Sequence, residues 1–196
     1  MVERQLRRRG IDDERVLQAM LDVPRHRFLP RELWDDAYLD GALPIGEGQT
    51  MSQPWIVAFM AQALELKGDE KVLEVGTGSG YAAAVLSRLC RKVVTIERHE
   101  RLAARAQATL AELGYDNVEV RVGDGTAGAP DEAPFDGMSV TATADEQVPQ
   151  ALLDQQAPGA PLVIPIRRGR REYLVRIRDG EEEAFVPVRF VPLVGE

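Results

Sequence analysis

The stretch Val72-Leu73-Glu74-Val75-Gly76-Thr77-Gly78-Ser79-Gly80-Tyr81 constrains this chain more than any other. Residues 72–75 are a short apolar run of the kind a buried strand requires, and the run Ala82-Ala83-Ala84-Val85-Leu86 reads as a helix. Between them stand three glycines at alternate positions. Glycine in a strand-to-helix turn permits positive φ, and its missing side chain lets a ligand lie against the backbone. The spacing is E-x-G-x-G-x-G, with an acid inside the motif, and differs from the G-x-G-x-x-G dinucleotide fingerprint. A second apolar run, Val93-Val94-Thr95-Ile96, leads to Glu97, 21 residues beyond Gly76. An acid at the tip of the second strand of a βαβ unit can hydrogen-bond a ribose diol. The unit therefore suits a nucleoside-containing cofactor. A turn that merely joins strand to helix is the plainer alternative, and Glu97 and a second turn, Gly123-Asp124-Gly125, both weigh against it.

From residue 68 onward strands and helices alternate, which predicts an α/β fold with a parallel sheet and helices on both faces. Leu102, Ala106, Leu110 and Leu113 share one side of a helix that Gly114 ends. Strands are expected at residues 118–122, 135–140 and 161–166, with a helix over 146–156. Residues 172–178 and 184–191 then predict an antiparallel pair around the acidic turn Asp179-Gly180-Glu181-Glu182-Glu183. Upstream, Asp12 is expected to cap a helix whose apolar face is Val16, Leu17, Met20 and Leu21. Pro24 ends that helix, and Pro30 opens a short one over residues 32–38. Residues 43–54 read as a loop, and Pro54 starts a helix carrying Trp55, Ile56, Phe59, Met60 and Leu64. Three segments of one compact domain follow: an N-terminal helical part (1–67), a cofactor core (68–166) and a C-terminal strand pair (167–196).

At 196 residues the chain can bury one such core. A formal net charge of −8 argues against non-specific nucleic-acid binding. Cys90 is the sole cysteine, so no internal disulfide is possible and a reducing compartment fits. The polar, arginine-rich start lacks the apolar core of a signal peptide, and no run approaches the ~18 apolar residues of a membrane span. A cytoplasmic protein, with no membrane or nucleic-acid partner, is the expectation.

The modified glycine spacing resembles that of S-adenosylmethionine-dependent methyltransferases. Along essentially its whole length the chain resembles the protein-L-isoaspartate O-methyltransferases. Arg4-Gln5-Leu6 and Val23-Pro24-Arg25-His26 with Phe28 fit that family's opening. Gly48-Gln49-Thr50-Met51-Ser52-Gln53-Pro54 matches its most diagnostic signature. Gly114-Tyr115-Asp116-Asn117-Val118 through Gly123-Asp124-Gly125 matches its third strand and second cofactor turn. Phe135-Asp136, Val140-Thr141-Ala142, Leu162-Val163-Ile164-Pro165 and Arg189-Phe190-Val191-Pro192-Leu193 complete the correspondence. Departures are few: Met51 replaces a β-branched residue, Ala160 the second glycine of a Pro-Gly-Gly turn, and residues 167–171 form a basic insertion-like stretch.

The resemblance implies a Rossmann-like, doubly wound sheet and a repair reaction. A methyl group passes from S-adenosyl-L-methionine to the α-carboxylate of L-isoaspartyl residues in damaged proteins and peptides, leaving S-adenosyl-L-homocysteine. The ester cyclises to succinimide without the enzyme, and hydrolysis restores some normal aspartyl. A carboxylate of pKa around 4 is already ionised at neutral pH, so the attacking oxygen needs no general base. What remains is placement and shielding from water.

By the same resemblance, Ser52 is the residue expected beside the accepting carboxylate, within a substrate set of Thr50, Met51, Ser52, Gln53, Thr141 and Ala142. The plainer alternative, compatible with the first, is that Ser52 caps the helix entered through Pro54. The implied cofactor set is Glu74, Gly76, Thr77, Gly78, Ser79, Gly80, Glu97, Arg98, Asp124 and Gly125. Within it Glu97 meets the ribose, Asp124 and the Gly125 amide meet the adenine, and Glu74 either braces the loop or faces the methionine end. No metal site is expected: His26 and His99 are isolated and read as surface or satisfied core groups, and Cys90 as a small buried hydrophobe. The chain is expected to act as a monomer. A small-carboxylate methyltransferase on the same scaffold is the nearest competing enzyme, and a cofactor-binding module without catalysis the competing non-enzyme.

Overall fold

The computed structural model describes residues 1–195. The glycine unit forms as the apolar runs require. In chain order the regular elements are α1 (Glu14–Asp22), β1 (Leu43–Gly46), β2 (Gln49–Met51), α2 (Pro54–Ala63), β3 (Lys71–Val75), α3 (Tyr81–Ser87), β4 (Lys92–Glu97) and α4 (Glu100–Glu112). Then come β5 (Val118–Val122), β6 (Gly137–Val140), β7 (Ala144–Asp145), α5 (Gln150–Leu153), β8 (Leu162–Arg168), β9 (Arg171–Arg178) and β10 (Glu181–Val188). One sheet runs β10-β9-β8-β6-β3-β4-β5, with β7 paired to β8. From β5 to β8 neighbours are parallel, and β8, β9 and β10 are antiparallel. The Rossmann-like sheet and its antiparallel C-terminal pair are thus as the sequence implied. Strands β3, β4 and β6 are buried nearly throughout, which explains their unbroken apolar runs.

The chain enters the sheet at β3, builds outward through β4 and β5, then crosses back to β6 on the other side. That reversal leaves a crevice beyond the carboxyl ends of β3 and β6, where open α/β sheets take ligands. The N-terminal helices pack over one face of the sheet: Val16, Leu17, Met20 and Phe28 share a core with Tyr81, Val85 and Val93. Leu73, Val94, Met138 and Ile164 form the core on the other face.

Several local expectations are corrected. Asp13, not Asp12, caps α1; its carboxylate accepts from the amides of Arg15 (2.8 Å) and Val16 (3.3 Å). Leu21 is 62% exposed, because it lies one step of ~100° beyond Met20 and off the apolar stripe, which Val23 continues instead. Residues 32–38 form no helix beyond a short turn at Arg31–Leu33. The segment read as a loop is a β1–β2 hairpin pairing Leu43 with Met51 and Pro44 with Thr50. Its turn uses positive φ at Glu47 (51°) and Gly48 (69°), a pair that matches the twist of hairpin strands. The helix expected over 146–156 shrinks to α5, since Pro149 occupies its N-cap and Glu146 has φ of 59°. The acidic turn contracts to Asp179-Gly180, with Glu181, Glu182 and Glu183 inside β10. The 167–171 stretch forms a β8–β9 hairpin end, where Arg167 pairs with Asp145 and Glu172, and Arg168 with Glu182.

Candidate active site

The carboxyl ends of β3 and β6 are locked together at the crevice. The Thr141 amide donates to the Val75 carbonyl at 2.9 Å, and its hydroxyl to the Gly76 carbonyl at 2.8 Å. Gly76 adopts φ of +96°, and a Cβ there would lie 2.3 Å from the Thr141 hydroxyl oxygen. Only glycine admits both the conformation and the approach. The Gly76 amide donates to the Ile96 carbonyl at 2.8 Å, and the Gly78 amide to Glu97 Oε2 at 2.8 Å. Gly80 does something else: at the N-cap of α3, its missing Cβ makes room for Ala106 and Leu110 of α4.

Above this loop lies a cavity of about 280 Å³. Gly76, Thr77, Gly78, Ser79, Glu97, Arg98 and Gly125 line it from the cofactor set, and Thr50, Met51, Ser52, Thr141 and Ala142 from the substrate set. Gly80, Glu74, Asp124 and Gln53 do not. Asp124 caps the turn Gly125–Ala127, accepting from the amide and hydroxyl of Thr126. Gln53 faces a second, outer hollow of about 620 Å³ with Arg9, Trp55, Ile56 and Phe190. That hollow shares Thr50, Ser52, Thr141 and Val191 with the inner cavity. Ser52 and Thr141 therefore stand where the two hollows meet.

Ser52 arrives there from β2 and is not a helix cap. Gln53 occupies the N-cap of α2 with no side-chain capping bond, because Pro54 takes the first helical position and removes one amide that would need a partner. The Ser52 carbonyl accepts from Arg25 at 2.7 Å.

Glu97 is 5% exposed, and both its oxygens are held: Oε2 by the Gly78 amide and Oε1 by that of His99 at 3.0 Å. A carboxylate fixed this way keeps lone pairs for hydroxyl donors, as a ribose diol would supply. With glycine backbone on one side and apolar Val75 and Ile96 nearby, the cavity fits a nucleoside-bearing cofactor. His99 and the tail residues 191–194 also line it, and the residue-by-residue reading missed both. The tail is tied down by Thr143, whose amide donates to Val191 and whose carbonyl accepts from Leu193, each at 2.8 Å. Val191-Pro192-Leu193 carried family resemblance, but no chemistry in those side chains marked them.

Glu74 lies beneath the floor, fully buried. Its Oε2 accepts from the Thr95 hydroxyl at 2.5 Å, and Thr95 pairs with the Thr77 hydroxyl at 2.6 Å. Oε1 has no partner. Burial pushes the Glu74 pKa up to about 8, opposed by the Thr95 hydrogen bond and reinforced by the charge of Glu97. In the unfolded chain the same group titrates near ~4.3. The fold thus holds a proton that the unfolded chain has lost, so this contribution is complete below about pH 4.3 and disappears as pH rises through about 8. Glu74→Gln is expected to flatten that decline. Urea midpoints at several pH values from 6 to 9 check it, and a slope identical to the parent's would remove Glu74 as the titrating group.

Among the described residues no group of three His, Cys, Asp or Glu is placed to hold a metal ion. Cys90 is buried, and burial pushes its thiol up to about 12, far from nucleophilic use. No helix among the described residues is long and apolar enough to cross a membrane.

The model of the protein-L-isoaspartate(D-aspartate) O-methyltransferase family matches residues 1–196. Protein-L-isoaspartate O-methyltransferase 1 of Syntrophobacter fumaroxidans is 54% identical over 200 residues, covering 100% of this chain and 93% of that protein. The Roseiflexus castenholzii protein-L-isoaspartate O-methyltransferase is 55% identical, covering 96% and 88%. One solved protein-L-isoaspartate O-methyltransferase superposes with a TM-score of 0.86 at 30% identity; all of this chain spans 66% of that one. A Plasmodium falciparum structure, in complex with S-adenosyl-L-homocysteine, superposes with a TM-score of 0.84 at 25% identity, covering 96% and 94%. With the whole chain matched by the family and by close relatives, the chain belongs to the protein-L-isoaspartate(D-aspartate) O-methyltransferase family.

Proposed function

We infer that this protein transfers a methyl group from S-adenosyl-L-methionine to the α-carboxylate of L-isoaspartyl residues in damaged proteins and peptides, leaving S-adenosyl-L-homocysteine. The observation that carries the reading is the meeting of the two hollows at Ser52 and Thr141. The inner one suits a nucleoside cofactor, and the outer one, open to solvent and lined by Trp55, Ile56 and Phe190, suits a peptide. Bound in the inner cavity, the cofactor supplies a methyl group activated on a sulfonium. The chain's own residues then have little proton chemistry to do.

In this reading Glu97 holds the ribose diol, and Gly76, Thr77, Gly78 and Ser79 present backbone to the cofactor. Arg98 lies at the rim, and the Gly125 turn, capped by Asp124, meets the adenine. Gly80 and Glu74 act from beneath, Gly80 by admitting α4 and Glu74 by bracing Thr77 through Thr95. Ser52 donates its hydroxyl to the carboxylate oxygen that does not attack, while Thr50, Met51, Gln53, Thr141 and Ala142 shape the passage. The attacking oxygen forms its bond to the methyl carbon as the carbon–sulfur bond breaks, the electron pair going to sulfur. Segment 1–67 contributes the substrate side, 68–166 the cofactor side, and 167–196 the closing strands and tail. The protein works as a cytoplasmic monomer without nucleic-acid or membrane partners, in keeping with its net charge of −8.

Methyl transfer from labelled cofactor to an isoaspartyl peptide and to its aspartyl twin tests the reading. Transfer to the isoaspartyl peptide alone is expected. Equal transfer to both, or none to either while cofactor binds, overturns it; transfer to small free carboxylates alone favours the competing enzyme.

A further inference from the structure

The fold buries one charge for which the reaction so far gives no reason. Arg25, on the turn Arg25–Phe28, is 0% exposed. Its Nε donates to the Ala37 carbonyl and one Nη to the Ser52 carbonyl, both at 2.7 Å; the other Nη has no partner. The guanidinium lies 4.7 Å from the centre of the Tyr81 ring, which lines the inner cavity. Among the described residues it forms no ion pair, and Asp40, an acid in its surroundings, is committed to Arg9 at 2.6 Å. Burial lowers the Arg25 pKa, yet arginine stays protonated at neutral pH. Buried charges are ordinarily paired, since an unpaired one keeps its full desolvation cost. Here the Tyr81 ring and the more distant Asp40 temper the charge, but no carboxylate pairs with it directly behind Ser52.

We propose that Arg25 is a positioning residue whose charge, held without an ion-pair partner, draws the substrate carboxylate to the passage beside Ser52. The inference rests on the methyltransferase reading above. A cation behind Ser52 favours an incoming anion and disfavours a sulfonium in the same cavity. In the transition state both charges are partly neutralised, so the field acts on binding far more than on the chemical step. Its signature is therefore a change in KM with kcat nearly constant, together with a shift in cofactor preference. S-adenosylmethionine and S-adenosylhomocysteine differ in a methyl group and one positive charge, so their affinity ratio reports the field at the sulfur without any turnover.

Arg25→Met is expected to raise KM for an isoaspartyl peptide about tenfold or more while kcat changes less than about threefold. In the same variant the affinity ratio should move several-fold toward S-adenosylmethionine. Arg25→Lys, which keeps the charge but loses the fork to Ser52 and Ala37, should stay near the parent in both. Thermal melts and homocysteine-form binding identify folded variants. If Arg25→Met does not fold, Arg25→Gln, which keeps a donor for the Ser52 carbonyl, takes its place. If neither folds, Arg25→Lys decides: parent-like KM and ratio support the proposal, and a change in both overturns it. A folded neutral variant with parent-like KM and ratio makes Arg25 a structural tie only. Should the parent protein methylate no isoaspartyl peptide, the functional reading fails, while the affinity ratio still tests the field of Arg25.

Discussion

Glu97→Ala is expected to weaken S-adenosylmethionine binding by about 3–4 kcal/mol, on the order of 10²- to 10³-fold. The sequence alone supports the larger part of that figure. Removing a charged partner of the ribose diol costs roughly 1.5–3 kcal/mol. The structure adds the rest: the same carboxylate fixes the Gly78 and His99 amides at 2.8 and 3.0 Å, so its loss also loosens the loop on which the cofactor lies. Glu97→Gln keeps a carbonyl acceptor for one amide and should fall between, losing about tenfold. Titration calorimetry measures both. A dissociation constant for Glu97→Ala within twofold of the parent's would mean that Glu97 neither meets the ribose nor holds the loop in its binding shape.

The same residue marks how far the sequence could be read. Glu97 stood out because a βαβ unit has one periodicity and one crossover length, so strand, loop and acid fall at countable distances. The sheet order followed from the alternation for the same reason. The signal failed where geometry depends on contacts distant in the chain. Glu74 lies inside one apolar run and Glu97 at the end of another; the pairing of β3 with β4 sets Glu74 beside Thr95 under the floor, while Glu97 ends β4 in the cavity lining. The β1–β2 hairpin was hidden because Pro44, Gly46 and Gly48 look like loop, whereas positive φ at Glu47 and Gly48 makes them a tight hairpin turn. The tail over the cavity carries no reactive side chain at all; its place is set by two backbone hydrogen bonds to Thr143. Backbone pairing of that kind leaves no trace in residue type.

Ser52 is where the structure sharpens an expectation that the sequence left double. A serine two residues before Pro54 also reads as a helix cap, and loss of such a cap costs about 1 kcal/mol. With Gln53 in the cap position and no side-chain capping bond, that cost has no source. Ser52→Ala should therefore leave the melting temperature within about 2 °C of the parent, since 1 kcal/mol corresponds to about 2–4 °C in a chain of this size. Cofactor affinity should also hold. The loss should appear in kcat/KM for isoaspartyl peptides, by about 10- to 100-fold, as one hydrogen bond to an anion is removed and placement still supplies most of the rate. Ser52→Asp puts a second negative charge next to the accepting carboxylate. Two unit charges ~4 Å apart at an effective dielectric constant of ~20 repel by about 4 kcal/mol, which corresponds to about a 10³-fold loss. Arg25 behind the Ser52 carbonyl would offset a part of that repulsion, so double substitution with Arg25→Met should deepen it. Peptide methylation kinetics alongside thermal melts separate the outcomes. An aspartate variant as active and as stable as the parent would take Ser52 out of the passage altogether, leaving Thr50 and Thr141 as the hydroxyls shared by the two hollows.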